Sequence, residues 1–172
     1  MPSLERTDKE IIAIYDRHVD TVYRVCYSFM KNKPETEDMV QETFLRLITS
    51  GKAFDNERHE KAWLIVTASN LCKDSLKKAW RNNESIEDNP NLSRAVTAQN
   101  SDVLEAILQL PRDYKVVVYM YYYEGYSTAE IAAYLKKPHA TVRSHLSRAR
   151  KLLKTMLGGE PDETAANLRR IR

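Results

Sequence analysis

The chain has 172 residues, of which 42% are hydrophobic and 30% charged, and its net charge is +3. This length allows one domain or two small ones, and the low numbers of glycine and proline favour helices. The sequence contains neither an apolar run long enough to span a bilayer nor a signal-peptide pattern, which predicts a cytoplasmic protein without membrane insertion.

Two helices are predicted in the first 50 residues. Apolar residues recur at three- and four-residue steps from about Glu10 to Met30, and Asn32-Lys33-Pro34 ends this first helix. A second helix begins near Pro34 and ends at Ser50-Gly51. Its predicted buried face consists of Val40, Phe44, Leu47 and Ile48.

The opposite side of the second helix has an unusual composition. It carries Asp38, Gln41, Glu42 and Leu45. An exposed leucine among acids and an amide is typical of a surface that binds a partner. A solvated face with one stray leucine is an equally good interpretation of the spacing alone.

Residues 54–60 are predicted to form a polar loop before a third helix from about Glu60 to Trp80. The second half of this helix is basic. Asn70 is a poor helix former, and it predicts a break near residues 69–72. Trp63 and Trp80 are predicted to be core anchors, and the alternative is that they stack on unpaired bases.

A linker is predicted from Asn82 to Asn100, where the sequence is acidic, rich in Asn and Ser, and contains a proline. A helix follows and is stopped by Pro111. The run from Val116 to Tyr123 has strand propensity. It is predicted to be a helix because no other strand candidate exists to pair with it.

Residues 127–153 predict two helices joined by a tight turn. Ser127 and Glu130 form a capping box at the start of the first, and Pro138 follows its end. The second helix is predicted to start between His139 and Thr141. Its buried stripe is Val142, Leu146, Ala149 and Leu153. Its other side carries Arg143, Ser147 and Arg150, with Ser144, Arg148 and Lys151 beside them.

The charge of this last helix indicates its target. Between His139 and Leu157 there are five Lys or Arg residues and no Asp or Glu. A basic amphipathic helix behind a short helix and a turn is typical of a helix-turn-helix that lies in the DNA major groove. The alternative is a solvated basic helix, but solvated faces usually mix both signs of charge.

Three segments resemble the extracytoplasmic-function (ECF) sigma factors of bacterial RNA polymerase. Residues 35–47 (ETEDMVQETFLRL) are similar to the polymerase-binding helix of that family, and residues 62–78 (AWLIVTASNLCKDSLKK) to its promoter-melting segment. Residues 110–153, from LPRDYK to the basic helix, are similar to its upstream-element module.

The resemblance implies an all-α protein of two small helical domains joined by a flexible linker, without catalytic activity, cofactor or metal. Residues 9–81 would form a sigma-two-like domain of three or four helices that binds core polymerase and recognises and melts the −10 element. Residues 82–100 would be the linker. Residues 101–157 would form a sigma-four-like helix-turn-helix domain for the −35 element, followed by a tail at 158–172.

The resemblance also implies partners and contact residues. The partners are promoter DNA, an anti-sigma factor, and the clamp helices and flap region of core polymerase, through which the protein would associate with the nucleoid. Core binding would use Asp38, Gln41, Glu42 and Leu45. The −10 contacts would be Asn70, Lys73, Asp74, Lys77, Lys78 and Arg81, with Asn70 near a flipped, unpaired base. The −35 contacts would be Thr141, Arg143, Ser144, Ser147, Arg148 and Lys151.

Two other functional classes are possible for this sequence. A stand-alone dimeric helix-turn-helix regulator would explain residues 127–153, but not the acidic-amide face or the linker. An enzyme acting on nucleic acid finds no support, because the sequence shows no metal-ligand spacing, paired catalytic carboxylates or nucleophile motif. The four histidines are scattered, and Cys26 and Cys72 lack C-x-x-C spacing, so both cysteines are predicted to be core residues.

Overall fold

A computed structural model of the protein describes residues 5–81 and 106–158. Within these ranges every regular element is helical, which confirms the predicted all-α fold. The chain divides into two compact units between Asn91 and Leu92. The predicted linker at 82–100 and the tail beyond Gly158 lie outside the described residues. None of the described helices has the length and apolarity needed to cross a bilayer.

The first unit packs three helices against one another: α1 (Asp8–Met30), α2 (Lys33–Ser50) and α3 (Glu57–Arg81). Their shared core is apolar and includes both cysteines, as predicted. Its members include Val22, Cys26, Phe29, Leu47, Leu64, Ile65 and Cys72. The three pairwise contacts between long helices give this unit a continuous core, because each helix buries one stripe against the other two.

Side chains fix where α1 and α2 begin. Thr7 and Glu10 form a capping box, so α1 starts at Asp8, slightly before the predicted position. The hydrogen bond from the Thr7 backbone lowers the pKa of the Glu10 carboxyl. Asn32 caps α2 by accepting a hydrogen bond from the backbone N–H of Glu35 at 3.0 Å.

Two predictions for α3 were wrong. The helix begins at Glu57, because Asn56 Oδ1 accepts a hydrogen bond from the His59 backbone N–H at 2.9 Å, so the preceding loop ends earlier than predicted. The helix also continues unbroken through Asn70. Asn70 lies on the solvent side while neighbouring Ser69 and Cys72 are buried, so packing of the inner face outweighs the weak helix propensity of one asparagine.

A buried polar cluster joins α1 to the start of α3. Glu60 Oε1 lies 2.7 Å from His18 Nε2 and 3.0 Å from Arg17 Nη2. His18 and Glu60 are both buried, whereas Glu57, 3.8 Å from Arg17, is largely exposed. The Glu60 carboxylate therefore satisfies two polar groups of α1 in a mostly apolar interface.

Replacing this carboxylate should destabilise the first unit. Glu60→Ala leaves buried His18 without its hydrogen-bond partner, which should lower the free energy of unfolding by roughly 1–3 kcal/mol. The control Glu57→Ala removes only an exposed partner of Arg17 and should cost roughly 0–1 kcal/mol. Both tryptophans of the chain lie on α3, so urea unfolding followed by tryptophan fluorescence reports on this unit. Equal losses for the two variants would contradict the prediction.

The second unit contains α4 (Arg112–Val118), α5 (Thr128–Leu135) and α6 (His139–Leu157). Residues 106–108 are also helical. Pro111 precedes α4, and a π-helical turn (Tyr119–Tyr123) continues it, so the predicted helix over the tyrosine run is confirmed. Both α4 and α5 pack against α6. The core of this unit includes Val117, Met120, Ile131, Val142, Leu146 and Leu153.

Candidate nucleic-acid and partner interface

The predicted partner face of α2 is solvent-facing. Asp38, Gln41 and Leu45 are exposed, with Leu45 at 54%, and Glu42 is half-buried beside Arg46, whose Nε lies 3.4 Å from Glu42 Oε1. Because these residues stand at three- and four-residue steps, they share one side of the helix. The face therefore presents carboxylates, an amide and a leucine together.

Ile48 was predicted to be buried, and this was wrong. Its side chain is 45% exposed, three residues beyond Leu45 on the partner face. The seam with α1 explains the exposure: the Phe44 ring packs against Tyr15, with centroids 4.8 Å apart, and Leu47 fills the core, which leaves Ile48 at the edge. The partner face of α2 thus ends in two exposed apolar residues.

The predicted −10 contacts share the outer side of α3. All of them are exposed except Lys73, which is half-buried. They are Asn70, Lys73, Asp74, Lys77, Lys78 and Arg81. Ala68 and Cys72, on the inner side, are fully buried, so this arrangement presents one amide, one carboxylate and four cations along the last turns of the helix.

The two tryptophans of α3 differ from each other. Trp63 is half-buried and packs against Phe54, with ring centroids 5.7 Å apart, in keeping with its predicted anchoring role. Trp80 was predicted to be a core residue, and this was wrong, because its side chain is 77% exposed. Cys72 is the last buried residue of α3, so Trp80 lies beyond the part of the helix that packs into the core.

The helix-turn-helix is confirmed in the second unit. Ser127 and Glu130 make the predicted reciprocal capping bonds, at 3.1 and 2.7 Å. α5 ends at Leu135, and the left-handed backbone of the following Lys136 (φ 53°) reverses the chain. The Lys137 N–H donates a hydrogen bond to the Ala132 carbonyl at 3.0 Å. Pro138 then leads directly into α6.

The basic helix α6 buries its predicted stripe and exposes its other side. Arg143, Ser147, Arg148 and Lys151 are exposed, whereas Thr141 and Ser144 are half-buried. These six predicted −35 contacts occupy one continuous face that carries no carboxylate. Such a face offers arginine forks for base edges and hydroxyls for bases or phosphates.

Two polar residues of α6 make contacts inside the unit. The Arg150 guanidinium donates a hydrogen bond to the Tyr122 hydroxyl and lies over the Tyr121 ring at 5.7 Å. His145 packs against Tyr114, with ring centroids 5.2 Å apart. Arg150 is exposed, as the sequence pattern predicted, and it also contacts these two tyrosines of its own unit.

Sequence reasoning missed two further features. One is the exposure of Ile48 and Trp80 beside the predicted contacts. Their spacing could have indicated it, because Ile48 is three residues from Leu45 and Trp80 is three residues from Lys77. The Thr128 hydroxyl lies 2.7 Å from His139 Nε2 and links the first turns of α5 and α6. No local pattern predicts that pair. Among the described residues, no cluster of three or more His, Cys, Asp or Glu is arranged to hold a metal ion.

Comparison with protein families divides the chain as the fold does. Residues 14–82 match the family Sigma-70 region 2, and residues 101–153 match Sigma-70, region 4. Among solved structures, the chain resembles the sigma factor RpoE from Bartonella quintana, crystallised with the anti-sigma factor NepR, with a TM-score of 0.72 and 22% identity. That match covers 88% of this chain and 99% of the other, and it shows a shared fold.

Relatives in sequence span nearly the whole chain. The ECF RNA polymerase sigma factor SigW of Bacillus subtilis is 27% identical over 90% of this chain and 92% of its own length. The ECF RNA polymerase sigma factor SigL of Mycobacterium tuberculosis is 30% identical over 84% of this chain and 87% of its own. The chain therefore belongs to the family of ECF sigma factors of RNA polymerase.

Proposed function

We propose that this ECF sigma factor directs promoter-specific initiation by three separate contacts. The α2 face binds core polymerase, α6 reads the −35 element as duplex, and the outer side of α3 holds the −10 element as unpaired strand. The protein supplies specificity to the polymerase and does not itself catalyse a reaction. Residues 9–81 and 101–157 serve as the two functional domains.

The observation that carries this proposal is the acid-free face of α6. An ordinary solvated helix of 19 residues would mix both signs of charge, yet Arg143, Arg148 and Lys151 face solvent with hydroxyls between them and no acid. The turn at Lys136 holds α5 behind this face, which is the arrangement that places a recognition helix in the major groove.

The α3 surface has a different chemistry, and this supports a different DNA state. Asn70 is a single exposed amide that can hydrogen-bond the edge of one base. The cations that follow it suit a phosphate backbone. A protein that holds a flipped base must offset an unpairing cost of a few kcal/mol, and an amide beside positive charge helps to do so.

The α2 face is suited to a protein partner rather than to DNA. Carboxylates at Asp38 and Glu42 would repel phosphates, whereas Leu45 and Ile48 supply apolar area. We assign this face to the clamp helices of core polymerase, and we assign the flap region to the second unit. An anti-sigma factor is a further proposed partner, because the similar RpoE structure contains the anti-sigma factor NepR.

Co-migration on a sizing column tests this function against that of a stand-alone regulator. The purified chain mixed with core polymerase should elute with the polymerase and should allow it to start transcription at a restricted set of promoters. A chain that binds DNA but stays apart from core polymerase would be a helix-turn-helix regulator, and the proposal would be wrong.

Substitutions of the α6 arginines should distinguish residues that contact DNA bases from one that contacts tyrosines within the unit. Arg143→Ala or Arg148→Ala should each weaken holoenzyme binding to its preferred upstream duplex by roughly 1–3 kcal/mol and relax the sequence preference. Arg150→Ala removes the contacts to Tyr121 and Tyr122, so it should lower the melting temperature and leave the preference unchanged. Binding to a panel of single-substitution duplexes gives the affinity and the sequence preference, and thermal unfolding gives the melting temperature. Silent changes at both Arg143 and Arg148 would contradict the assignment.

A further inference from the structure

The last turns of α3 carry an exposed aromatic side chain among cations. Trp80 is 77% exposed, more than any other large apolar side chain in the described part of the chain. Lys73, Lys77 and Trp80 stand at i, i+4 and i+7 and therefore share one side of the helix. Lys78 and Arg81 lie in the same last turn.

Helix stability accounts for the cations but not for the indole. Lys78 and Arg81 complement the negative end of the helix dipole, so they stabilise the C-terminus of α3 whatever else they bind. A tryptophan gains nothing there, because its large apolar surface stays in water. Single exposed apolar residues are common on proteins, but this one lies beside Lys77 and Arg81, and the carboxylate of Asp74 stands almost two turns before it.

The combination suits nucleic acid better than it suits a protein. An exposed aromatic ring flanked by cations is the arrangement that binds single-stranded nucleic acid, because the ring stacks on a base while the cations hold the phosphates. A protein partner for this turn would have to bring carboxylates to meet Lys77, Lys78 and Arg81. Promoter DNA supplies the opposite charge at every nucleotide.

We infer that Trp80 stacks on a base of the promoter, at a second position beyond the base held by Asn70. This inference rests on the proposed function of the outer side of α3. Ten residues separate Asn70 from Trp80, which is about 15 Å along the helix axis. At 3.4 Å per nucleotide in stacked DNA, that is about four nucleotides from the base at Asn70. Trp80 would then anchor the edge of the opened region, and Asn70 would hold a base within it.

The experiment compares holoenzymes carrying Trp80→Ala, Trp80→Phe and Trp80→Lys on one promoter. Stacking on an aromatic ring contributes enough that Trp80→Ala should lower open-complex formation roughly 5- to 140-fold. Trp80→Phe keeps a ring and should recover most of the loss. Trp80→Lys adds a cation without a ring and should not recover it at moderate salt.

Abasic sites locate the contact. Promoters with one abasic nucleotide, placed from two to six positions on either side of the base assigned to Asn70, should include one position at which wild type and Trp80→Ala become equal. At that position the missing base is the one on which the indole stacks, so the stacking contact is already absent and Trp80→Ala causes no further loss of open-complex formation. If Trp80→Ala lowers open-complex formation by the same factor at every abasic position, the inference is wrong.

Further outcomes distinguish a failure of the stacking contact from a failure of the proposed function of α3. If Trp80→Lys restores opening as well as Trp80→Phe does, the residue acts through charge or surface polarity, and stacking is wrong. If Trp80→Ala instead weakens assembly with core polymerase, its partner is a protein. Lys77→Ala tests the proposed function itself: if Lys77→Ala leaves DNA affinity and its salt dependence unchanged while Trp80→Ala is defective, the phosphate contacts fail and the stacking contact survives.

Discussion

Reversing both carboxylates of the α2 face, as Asp38→Lys with Glu42→Lys, should lower the affinity for core polymerase on the order of a thousandfold. Like charges brought together at an interface cost several kcal/mol, and each 1.4 kcal/mol is tenfold in affinity. Asp38 is exposed, and Glu42 lies at the surface beside Arg46 one turn away, so neither change disturbs the core. The helix content of the variant should equal that of wild type.

A matched control exists on α1. Asp16 and Asp20 are also exposed and also four residues apart, on the side of α1 opposite to buried Ile14 and His18. Asp16→Lys with Asp20→Lys makes the same change in net charge, and it should leave assembly with core polymerase within a few-fold of wild type. Competition with the wild-type chain for a limiting amount of core polymerase measures both variants. Equal losses would mean that net charge alone matters and that the α2 face is not the docking surface.

Periodic patterns were enough to predict most of the fold. The helices follow from repeated apolar steps, and their ends follow from local chemistry, such as the Ser127–Glu130 capping box and Pro138. The exposed faces of α2, α3 and α6 can be predicted because they consist of the residues that are not on the buried stripe of each helix. Each of these features depends on residues within about one turn of one another, so sequence order alone carries the information.

The errors share a physical cause, because each depends on neighbours that are distant in sequence. Ile48 and Trp80 are exposed because each follows the last buried residue of its helix, Leu47 in α2 and Cys72 in α3. The contact of Glu60 with His18 spans 42 residues, and that of Arg150 with Tyr122 spans 28. No local pattern distinguishes such residues from solvated or core residues of the same type, and packing likewise kept α3 unbroken through Asn70.

Removing the amide of Asn70 should block strand opening while leaving the protein folded. Alanine has a higher helix propensity than asparagine, and Asn70 is exposed on an unbroken helix, so Asn70→Ala should be at least as stable as wild type. If the amide holds a flipped base, its loss removes part of what offsets an unpairing cost of a few kcal/mol. Open-complex formation on intact promoter should fall on the order of a hundredfold.

The DNA substrate can separate opening from binding, because a pre-melted promoter needs no unpairing. On a bubble that spans the −10 element, Asn70→Ala should recover most of its activity, and its binding to the upstream duplex should equal that of wild type throughout. Lys77→Ala should instead weaken binding on intact and pre-melted promoters alike and flatten the salt dependence, since a phosphate contact is lost in both. Rates of open-complex formation on the paired substrates, at two salt concentrations, distinguish the variants. An Asn70→Ala defect that persists on the bubble and extends to upstream-duplex binding would show that Asn70 does not act on an unpaired base.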